Sequence, residues 1–168
     1  MPEREWRDTV DVCLTGPFLC TKAVLGYMLD AGIAGDVVNV SSLNYTAGTD
    51  GLAHYSAAKA GVSQFTEVVA AEVGRYDIRA DAVAPGSIRT PLTGNNGLLD
   101  GRMGEEFRER TPLGRIGEPE DVAKVVAFLL SDYGYWVTGE TIRVDGGQHI
   151  RGLHSYWDVL EEMAAFEE

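Results

Sequence analysis

The chain has 168 residues, 45% of them hydrophobic, which suffices for the core of a single folded domain. It carries 26 acidic against 14 basic residues, a formal net charge of -12 that repels nucleic-acid phosphates and anionic lipids. No apolar run is long enough to span a bilayer, and the charged opening lacks the apolar stretch of a secretory signal. We therefore expect a protein with no nucleic-acid partner and no membrane contact.

The cysteines and histidines indicate a reducing compartment and no metal. Cys13 and Cys20 lie on one predicted helix about 10.5 Å apart along its axis, too far for a disulfide. Unpaired cysteines favour a cytoplasmic location. His54, His149 and His154 show no metal-ligand spacing with one another or with the cysteines. We predict that each is a surface histidine or a hydrogen-bonded core histidine, and that there is no metal site.

Helical and strand patterns alternate along the sequence. Apolar spacing predicts helices over 3–30, 54–74, 102–110 and 119–131, and short apolar runs predict strands over 36–41, 78–84 and 141–144. Gly74 is predicted to cap the second helix. Nearly all-apolar strands alternating with helices indicate a parallel sheet covered on both faces. We predict one α/β domain over residues 1–150, followed by a tail at 151–168 with the spacing of an amphipathic helix.

One group of side chains in this pattern could carry chemistry. Tyr55 and Lys59 are four residues apart and share one face of a helix, and Ser42 follows the first strand. A tyrosine with an ordinary pKa of about 10 is a poor acid–base catalyst at neutral pH, but a neighbouring ammonium lowers such a pKa. The three groups could hold a carbonyl oxygen and supply its proton while the carbon accepts hydride. The alternative is a chance Tyr–Lys spacing beside an ordinary turn.

Longer motifs favour the catalytic interpretation. The segments VVNVSS, YSAAKAGV, VAPGSIRTPL, PLGRIGEPEDVA and TGETIRVDGG follow one another in the order and at the spacing of the short-chain dehydrogenase/reductase family. The opening helix, with DVCLTGPFLCTKA, is similar to the family's helix before the serine strand, so the resemblance covers residues 5–150. It implies a NAD(P)-dependent oxidoreductase that transfers hydride between a nicotinamide cofactor and a carbonyl or alcohol substrate.

The resemblance places Ser42, Tyr55 and Lys59 at the family's catalytic positions. Tyr55 and Lys59 would also hold the cofactor, the lysine through the nicotinamide ribose hydroxyls. A fourth catalytic position, an asparagine in the family, is occupied here by Cys13. Because Pro17 has no N–H, the carbonyl of residue 13 loses its helical partner and could still anchor a water for the proton relay. We expect the missing asparagine side chain to weaken proton delivery.

The loop after the second predicted strand matches the family's loop against the nicotinamide and pyrophosphate. Its matching residues are Pro85, Gly86, Ile88 and Thr90. Proline and glycine end the strand and should let the main chain approach the cofactor closely, with N–H groups near Ile88 meeting its carboxamide. Asp81 stands where the family usually has asparagine, and we expect it to be a strand residue with satisfied hydrogen bonds.

The family's dinucleotide-binding opening is not found in this sequence. No Gly-rich turn precedes the catalytic helix, although such a turn at a helix N-terminus normally receives the pyrophosphate. The resemblance therefore predicts a partial Rossmann-type doubly wound sheet with only the last three strands, and an unpaired apolar edge on the first of them. We expect a truncated protein that binds NAD or NADP weakly or not at all by itself.

The expected partners follow from the same resemblance. Five apolar residues in the family's variable lid could line a substrate pocket or simply pack onto their own domain: Leu92, Leu98, Leu99, Met103 and Phe107. Helices 3–30 and 54–74 form the subunit interface in relatives, which predicts a homodimer or homotetramer, or a hetero-oligomer with a full-length relative. The alternative function is a non-catalytic homologue that acts as a dimerisation or interaction partner.

Overall fold

The computed structural model describes residues 1–94 and 99–150. In chain order its helices and strands are α1 (Glu3–Val10), α2 (Gly16–Ala31), β1 (Gly35–Val40), α3 (Ala53–Val73), β2 (Ile78–Pro85), α4 (Pro91–Gly94), α5 (Gly101–Glu109), α6 (Pro119–Leu129) and β3 (Thr141–Val144). The predicted strands and longer helices are confirmed to within two residues at each end. The predicted tail at 151–168 and Leu98 lie outside the described residues.

The three strands form one parallel sheet in the order β1-β2-β3. In its register Val40 lies opposite Val83, and Pro85 lies opposite Val144. Because the strands are parallel, their carboxyl ends lie along one edge of the sheet, and the residues that follow them meet there. This is the predicted α/β arrangement, with the last three strands of a Rossmann-type sheet.

Helices cover both faces of β2. Successive residues of a strand point to opposite faces, and Ala80, Ala82, Val83 and Ala84 of β2 are all fully buried. One face joins β2 to α2 and α3 in a core cluster made of Leu25, Met28, Val69, Ala70, Val73, Ile78 and Ala80. Small alanine side chains on this face let α3 pack close to the sheet.

A π-helical turn, Asp11–Thr15, separates α1 from α2, where one uninterrupted helix was predicted. It precedes Pro17, which has no N–H for regular helical pairing. Widened turns of this kind occur often at functional sites, and this one contains Cys13. Its side chain Leu14 fills the space beside Gly61 of α3, where an added Cβ would lie 2.9 Å from a Leu14 methyl carbon.

The helical stretch Glu3–Ala31 is long and apolar enough to cross a membrane by length and composition alone. This is weak evidence, because core helices of soluble proteins pass the same test. Thr21, Leu25 and Met28 are buried against the domain, whereas other apolar side chains of the stretch are exposed. The expected lack of membrane contact therefore stays a prediction.

Gly74 ends α3 as predicted, but its backbone stays in the right-handed helical region. A single 3-10 turn, Gly74–Tyr76, follows, and Asp77 then adopts a left-handed conformation with φ of 56°. Aspartate tolerates this conformation better than most side chains. Asp77 thus provides the left-handed residue through which the chain turns into β2.

Arg79 of β2 connects the sheet to the end of α6. Its guanidinium lies 2.7 Å from the Asp36 carboxylate. It also donates hydrogen bonds to three backbone carbonyls, those of Leu129, Gly134 and Val137. A cation near the last carbonyls of a helix is favourable because it complements the helix dipole.

Asp81 is a buried strand residue with satisfied hydrogen bonds, as predicted. Its Oδ1 accepts a hydrogen bond from the Glu140 N–H at 3.0 Å, and its Oδ2 lies 3.8 Å from the Arg79 guanidinium. Burial raises the pKa of Asp81, and these two partners oppose that rise. Arg79 therefore faces two carboxylates and three carbonyls that would otherwise lack a cationic partner.

Replacing Arg79 by methionine should lower the free energy of unfolding by about 3–5 kcal/mol, because partly buried carboxylates and carbonyls lose their partner. Urea denaturation measures this difference. Arg102→Met is the matched control, since Arg102 is 92% exposed and pairs with Glu106 on the helix surface; it should cost less than about 1 kcal/mol. Equal losses for the two variants would contradict the role assigned to Arg79.

Candidate active site

The carboxyl end of β1 is fastened to the first turns of α3 by two hydrogen bonds. The Ser41 hydroxyl donates to the Lys59 carbonyl at 2.9 Å, and the Lys59 ammonium donates to the Val40 carbonyl at 2.8 Å. Ser42 follows Ser41 directly, and Tyr55 precedes Lys59 by one helical turn. The structure therefore brings the three predicted catalytic residues to the same edge of the sheet.

A buried polar network below this edge was missed by sequence reasoning. The Asn39 amide of β1 donates to Thr66 of α3 at 3.0 Å and accepts a hydrogen bond from Thr21 of α2 at 3.3 Å. Ser41 Oγ also lies 2.9 Å from Ser63 Oγ. Because buried polar groups must find partners, this network fixes the position of α3 along β1 and its distance from the sheet. Polar residues on otherwise apolar faces of the predicted strand and helices could have indicated this network in the sequence.

The Ser42 hydroxyl is buried and held by the turn that follows it. Its oxygen accepts a hydrogen bond from the Asn44 N–H at 3.2 Å, and its O–H donates to Asn44 Oδ1 at 3.4 Å. The Asn44 amide nitrogen in turn donates to Thr49 Oγ1 at 2.8 Å and to the Ala47 carbonyl at 3.3 Å. Asn44 therefore shapes the segment that presents Ser42, and sequence reasoning did not single it out.

Tyr55 and Lys59 face each other on α3. The Lys59 ammonium lies 5.7 Å from the centroid of the Tyr55 ring. Within residues 1–94 and 99–150 the Tyr55 hydroxyl has no hydrogen-bond partner. Burial lowers the pKa of Lys59, and Cys13 acts in the opposite direction through its charge. Cys13 is half-buried with a free thiol, so the family's fourth position also lies near the lysine.

The loop after β2 is held from two sides. The Gln148 side chain accepts a hydrogen bond from the Ser87 N–H at 3.0 Å and donates one to the Ser87 hydroxyl at 2.9 Å. The Gly117 N–H donates to the Ser87 carbonyl at 2.9 Å, and the Thr93 hydroxyl donates to the Ile88 carbonyl at 2.8 Å. In the part of the chain that the structure describes, the Ile88 N–H makes no hydrogen bond.

Gly86 and Thr90 of this loop are already in contact with other parts of the chain. A Cβ at Gly86 would lie 2.6 Å from Gln148 Oε1 and 2.9 Å from Asp145 Cα. Gly86 thus lets the chain's own segment after β3 pack closely against this loop, and its predicted approach to the cofactor stays a prediction. The Thr90 hydroxyl lies 3.1 Å from the Thr93 hydroxyl and accepts from the Thr93 N–H at 3.3 Å.

Asp145 organises the turn after β3. Its buried carboxylate accepts hydrogen bonds from the Gly147 N–H at 3.0 Å, the His149 N–H at 2.9 Å and the His149 ring at 2.7 Å. Burial alone would raise the pKa of Asp145, but the hydrogen bonds from the His149 backbone and ring and from Gly147 outweigh it. The pKa of Asp145 therefore lies below its ordinary value.

A cleft of about 530 Å³ lies beside the 86–88 loop, between residues 111–117 and 143–147. None of the three predicted catalytic residues lines it, and neither do Leu92, Leu99, Met103 and Phe107 of the predicted lid. Leu99 is only 2% exposed and packs inside the domain, whereas Leu92 is 77% exposed. For Leu99 the structure therefore shows the packing role, one of the two that the sequence left open, and a substrate pocket formed by the other lid residues stays a prediction.

Two of the three histidines, His54 and His149, lie within the described residues. Across the two described ranges, no group of three or more His, Cys, Asp and Glu side chains could hold a metal ion. His149 pairs with Asp145. His54 is a buried core histidine with Nε2 3.7 Å from Glu5, and its Nδ1 finds no hydrogen-bond partner among the described residues. His154 lies outside the described residues.

A three-stranded parallel sheet with helices on both faces, and with Ser42, Tyr55 and Lys59 at its carboxyl edge, is the arrangement found in part of a Rossmann-type fold. A family model described as enoyl-(acyl carrier protein) reductase matches residues 1–149. Human (3R)-3-hydroxyacyl-CoA dehydrogenase is 39% identical over 147 residues, which cover 88% of this chain and 55% of the human protein. The 3-oxoacyl-(acyl-carrier-protein) reductase FabG of Thermotoga maritima is 43% identical over 147 residues, which cover 88% of this chain and 58% of FabG.

Solved structures of similar proteins indicate the same family as these sequence matches. Levodione reductase is 39% identical with a TM-score of 0.82, covering 89% of this chain and 59% of that protein. A gluconate 5-dehydrogenase from Burkholderia cenocepacia, in complex with NADP and tartrate, is 31% identical with a TM-score of 0.83. The match covers 88% of this chain and 57% of the gluconate 5-dehydrogenase. The chain belongs to the short-chain dehydrogenase/reductase family, and it spans less than two thirds of the length of these relatives.

Asp145→Asn should destabilise the fold near neutral pH and have a smaller effect in acid. Because the pKa of Asp145 is lower in the folded state than the ordinary value of about 3.9, its ionisation stabilises the fold above that value. This stabilisation is lost as the pH falls through the folded-state pKa. The Tm difference between wild type and variant, followed by circular dichroism, should therefore shrink as the solution is acidified.

The control is Asp50→Asn, which lies in an exposed loop and should leave Tm unchanged at each pH. A Tm difference for Asp145→Asn that stays constant from neutral to acidic solution would show that its carboxylate does not act as described.

Proposed function

We propose that this chain carries the catalytic portion of a NAD(P)-dependent oxidoreductase that interconverts a carbonyl and an alcohol. The main observation behind the proposal is the environment of Tyr55. Its hydroxyl has no partner among the described residues, and its ring lies beside the Lys59 ammonium. Ser42 stands at the same sheet edge. Membership of the family supports the proposal, as do the names of the human and Thermotoga relatives.

The residues present fit the nicotinamide half of the cofactor. The Ile88 N–H has no partner within the described ranges and could receive the carboxamide oxygen. Lys59 uses one of its three N–H donors for the Val40 carbonyl, which leaves two for ribose hydroxyls. A nicotinamide held there supplies or accepts the hydride. Because no Gly-rich turn for the pyrophosphate occurs in the sequence, we expect this chain to bind NAD or NADP weakly.

The chain's own groups would handle the carbonyl oxygen and the proton. Ser42 exchanges its 3.4 Å hydrogen bond to Asn44 Oδ1 for one to the substrate oxygen, and the Asn44 N–H, by donating to Ser42 Oγ, strengthens the new bond cooperatively. Tyr55 gives its proton to the same oxygen as the carbon accepts hydride, and takes it back when an alcohol is oxidised. The Lys59 ammonium stabilises the negative charge that develops on the tyrosine oxygen.

Tyr55→Phe should reduce turnover by at least about 100-fold, because the proton donor is lost while the ring remains. Turnover is followed as loss of reduced-nicotinamide absorbance, with NADH or NADPH in excess and acetoacetyl-CoA or a simple ketone as substrate. Tyr76→Phe is the control, since Tyr76 lies on the surface turn after α3, 48% exposed. Equal turnover in wild type and Tyr55→Phe would refute the proposed role.

A second function is favoured by the apolar surface of the first two helices. Val12, Leu19 and Tyr27 are 74%, 55% and 68% exposed. We propose that another subunit covers this surface, either a second copy or a complete relative. If the folded wild type turns over no substrate with either cofactor, a non-catalytic interaction partner becomes the better assignment, which Cys13 in place of asparagine also supports.

Cys13→Asn should raise turnover by up to about tenfold, the effect of one well-placed hydrogen bond on a barrier. The reason is that the amide side chain would restore the polar group that the family places beside the lysine for proton delivery. The same absorbance assay measures the change. Cys20→Ser, at an exposed position on α2, is the control and should have no effect; unchanged turnover for Cys13→Asn would contradict the proton-relay hypothesis.

A further inference from the structure

We propose that Gln148 is a positioning residue that holds the loop at Ser87 and Ile88 in the conformation that presents the Ile88 N–H to a nicotinamide ring. The inference deepens the proposed function and rests on it. Gln148 lies 61 residues after Ser87 in the sequence, beyond the last strand, and no role was assigned to it by the motifs.

The hydrogen bonds of Ser87 and Ile88 show how little freedom this loop has. The N–H and hydroxyl of Ser87 both bond to the Gln148 amide, and the Ser87 carbonyl accepts from the Gly117 N–H. The Ile88 carbonyl accepts from the Thr93 hydroxyl. The Ile88 N–H is the polar group of these two residues that has no partner in the described part of the chain. Among the described residues it is thus the donor of this loop that a ligand could use.

Gln148 can act as a rigid support because its own turn is fixed. Its N–H donates to the Asp145 carbonyl at 3.1 Å, and the Asp145 carboxylate binds the N–H groups of Gly147 and His149 on either side of it. On the loop side, Gly86 has no side chain, so Gln148 Oε1 lies close to its Cα. Gln148 is thus in direct contact with the loop at both Gly86 and Ser87.

The Gln148 amide matches Ser87 in a way that few other side chains could. Its oxygen accepts from the backbone and its nitrogen donates to the hydroxyl, so both polar groups of Ser87 are satisfied at once. Removing the amide leaves the Ser87 N–H unpaired, so the loop at Ser87 and Ile88 would populate other conformations. Glutamate keeps the acceptor for the N–H, and the Ser87 hydroxyl can donate to it, so Gln148→Glu should preserve most of the positioning.

The first measurement needs no ligand and concerns the loop alone. Amide hydrogen exchange by NMR on the full 168-residue chain should show faster exchange of the Ser87 N–H in Gln148→Ala, by about tenfold or more. Wild-type exchange should be nearly kept in Gln148→Glu. Ile150→Ala, an exposed neighbour on the same turn, is the control and should match wild type. Unchanged Ser87 exchange in Gln148→Ala would overturn the positioning role.

The second measurement concerns the nicotinamide. Reduced nicotinamide mononucleotide is titrated into each protein, with ribose 5-phosphate as the matched ligand that lacks the ring. Gln148→Ala should weaken binding of the mononucleotide by about five- to tenfold, the effect of a lost or misdirected hydrogen bond. Ribose 5-phosphate binding should not change, and the large shift of the Ile88 amide resonance expected in wild type should be reduced.

The two measurements separate the inference from the proposed function. If wild type binds the mononucleotide and shifts the Ile88 resonance, but Gln148→Ala does the same, the inference is wrong and the proposed function stands. If wild type neither binds the mononucleotide nor shifts the Ile88 resonance, the proposed cofactor role fails, and the functional part of the inference fails with it. A general loss of folding in Gln148→Ala would weaken both ligands equally and would also count against a specific role.

Discussion

The attachment of α3 to the end of β1 determines the geometry of the whole candidate site. The side chain of Lys59 reaches the Val40 carbonyl, and the backbone of Lys59 accepts from Ser41. The same lysine thus holds the helix in place and lies beside Tyr55. The buried network around Asn39 prevents α3 from sliding along the strand. Tyr55 and Lys59 are in this way placed by hydrogen bonds to backbone carbonyls as well as by contacts between side chains.

The parallel register extends this constraint to the other two strands. Because β2 and β3 end at the same edge as β1, the loop at Ser87 and the turn at Asp145 meet beside it. Each strand end contributes one part: hydroxyl groups after β1, an N–H without a partner among the described residues after β2, and a rigid support after β3. These are the parts that the proposed nicotinamide site would use, and the chain spans less than two thirds of the length of its relatives.

Much of the fold could be predicted because local and tertiary preferences agree in this chain. The strand Thr141–Val144 and the helix begun by Pro119 occur where their side chains and turn residues predict them. The prediction of one continuous opening helix was wrong, because the chain widens into a π turn around Cys13, ahead of Pro17. Gly74 ends α3 as predicted, and the left-handed conformation that follows falls on Asp77. Gly86 is small because a distant segment packs against it.

The sequence by itself determined the family, the α/β class and the residue types at the catalytic positions, because these depend on motifs and on periodicity that can be read along the chain. Only the tertiary structure decided which groups are already engaged and which are free. The Thr90 hydroxyl is held by Thr93, whereas the Ile88 N–H has no partner among the described residues. Hydrogen bonds such as that between Gln148 and Ser87 join residues far apart in the chain. Local spacing carries no information about them, so only the folded chain could reveal them.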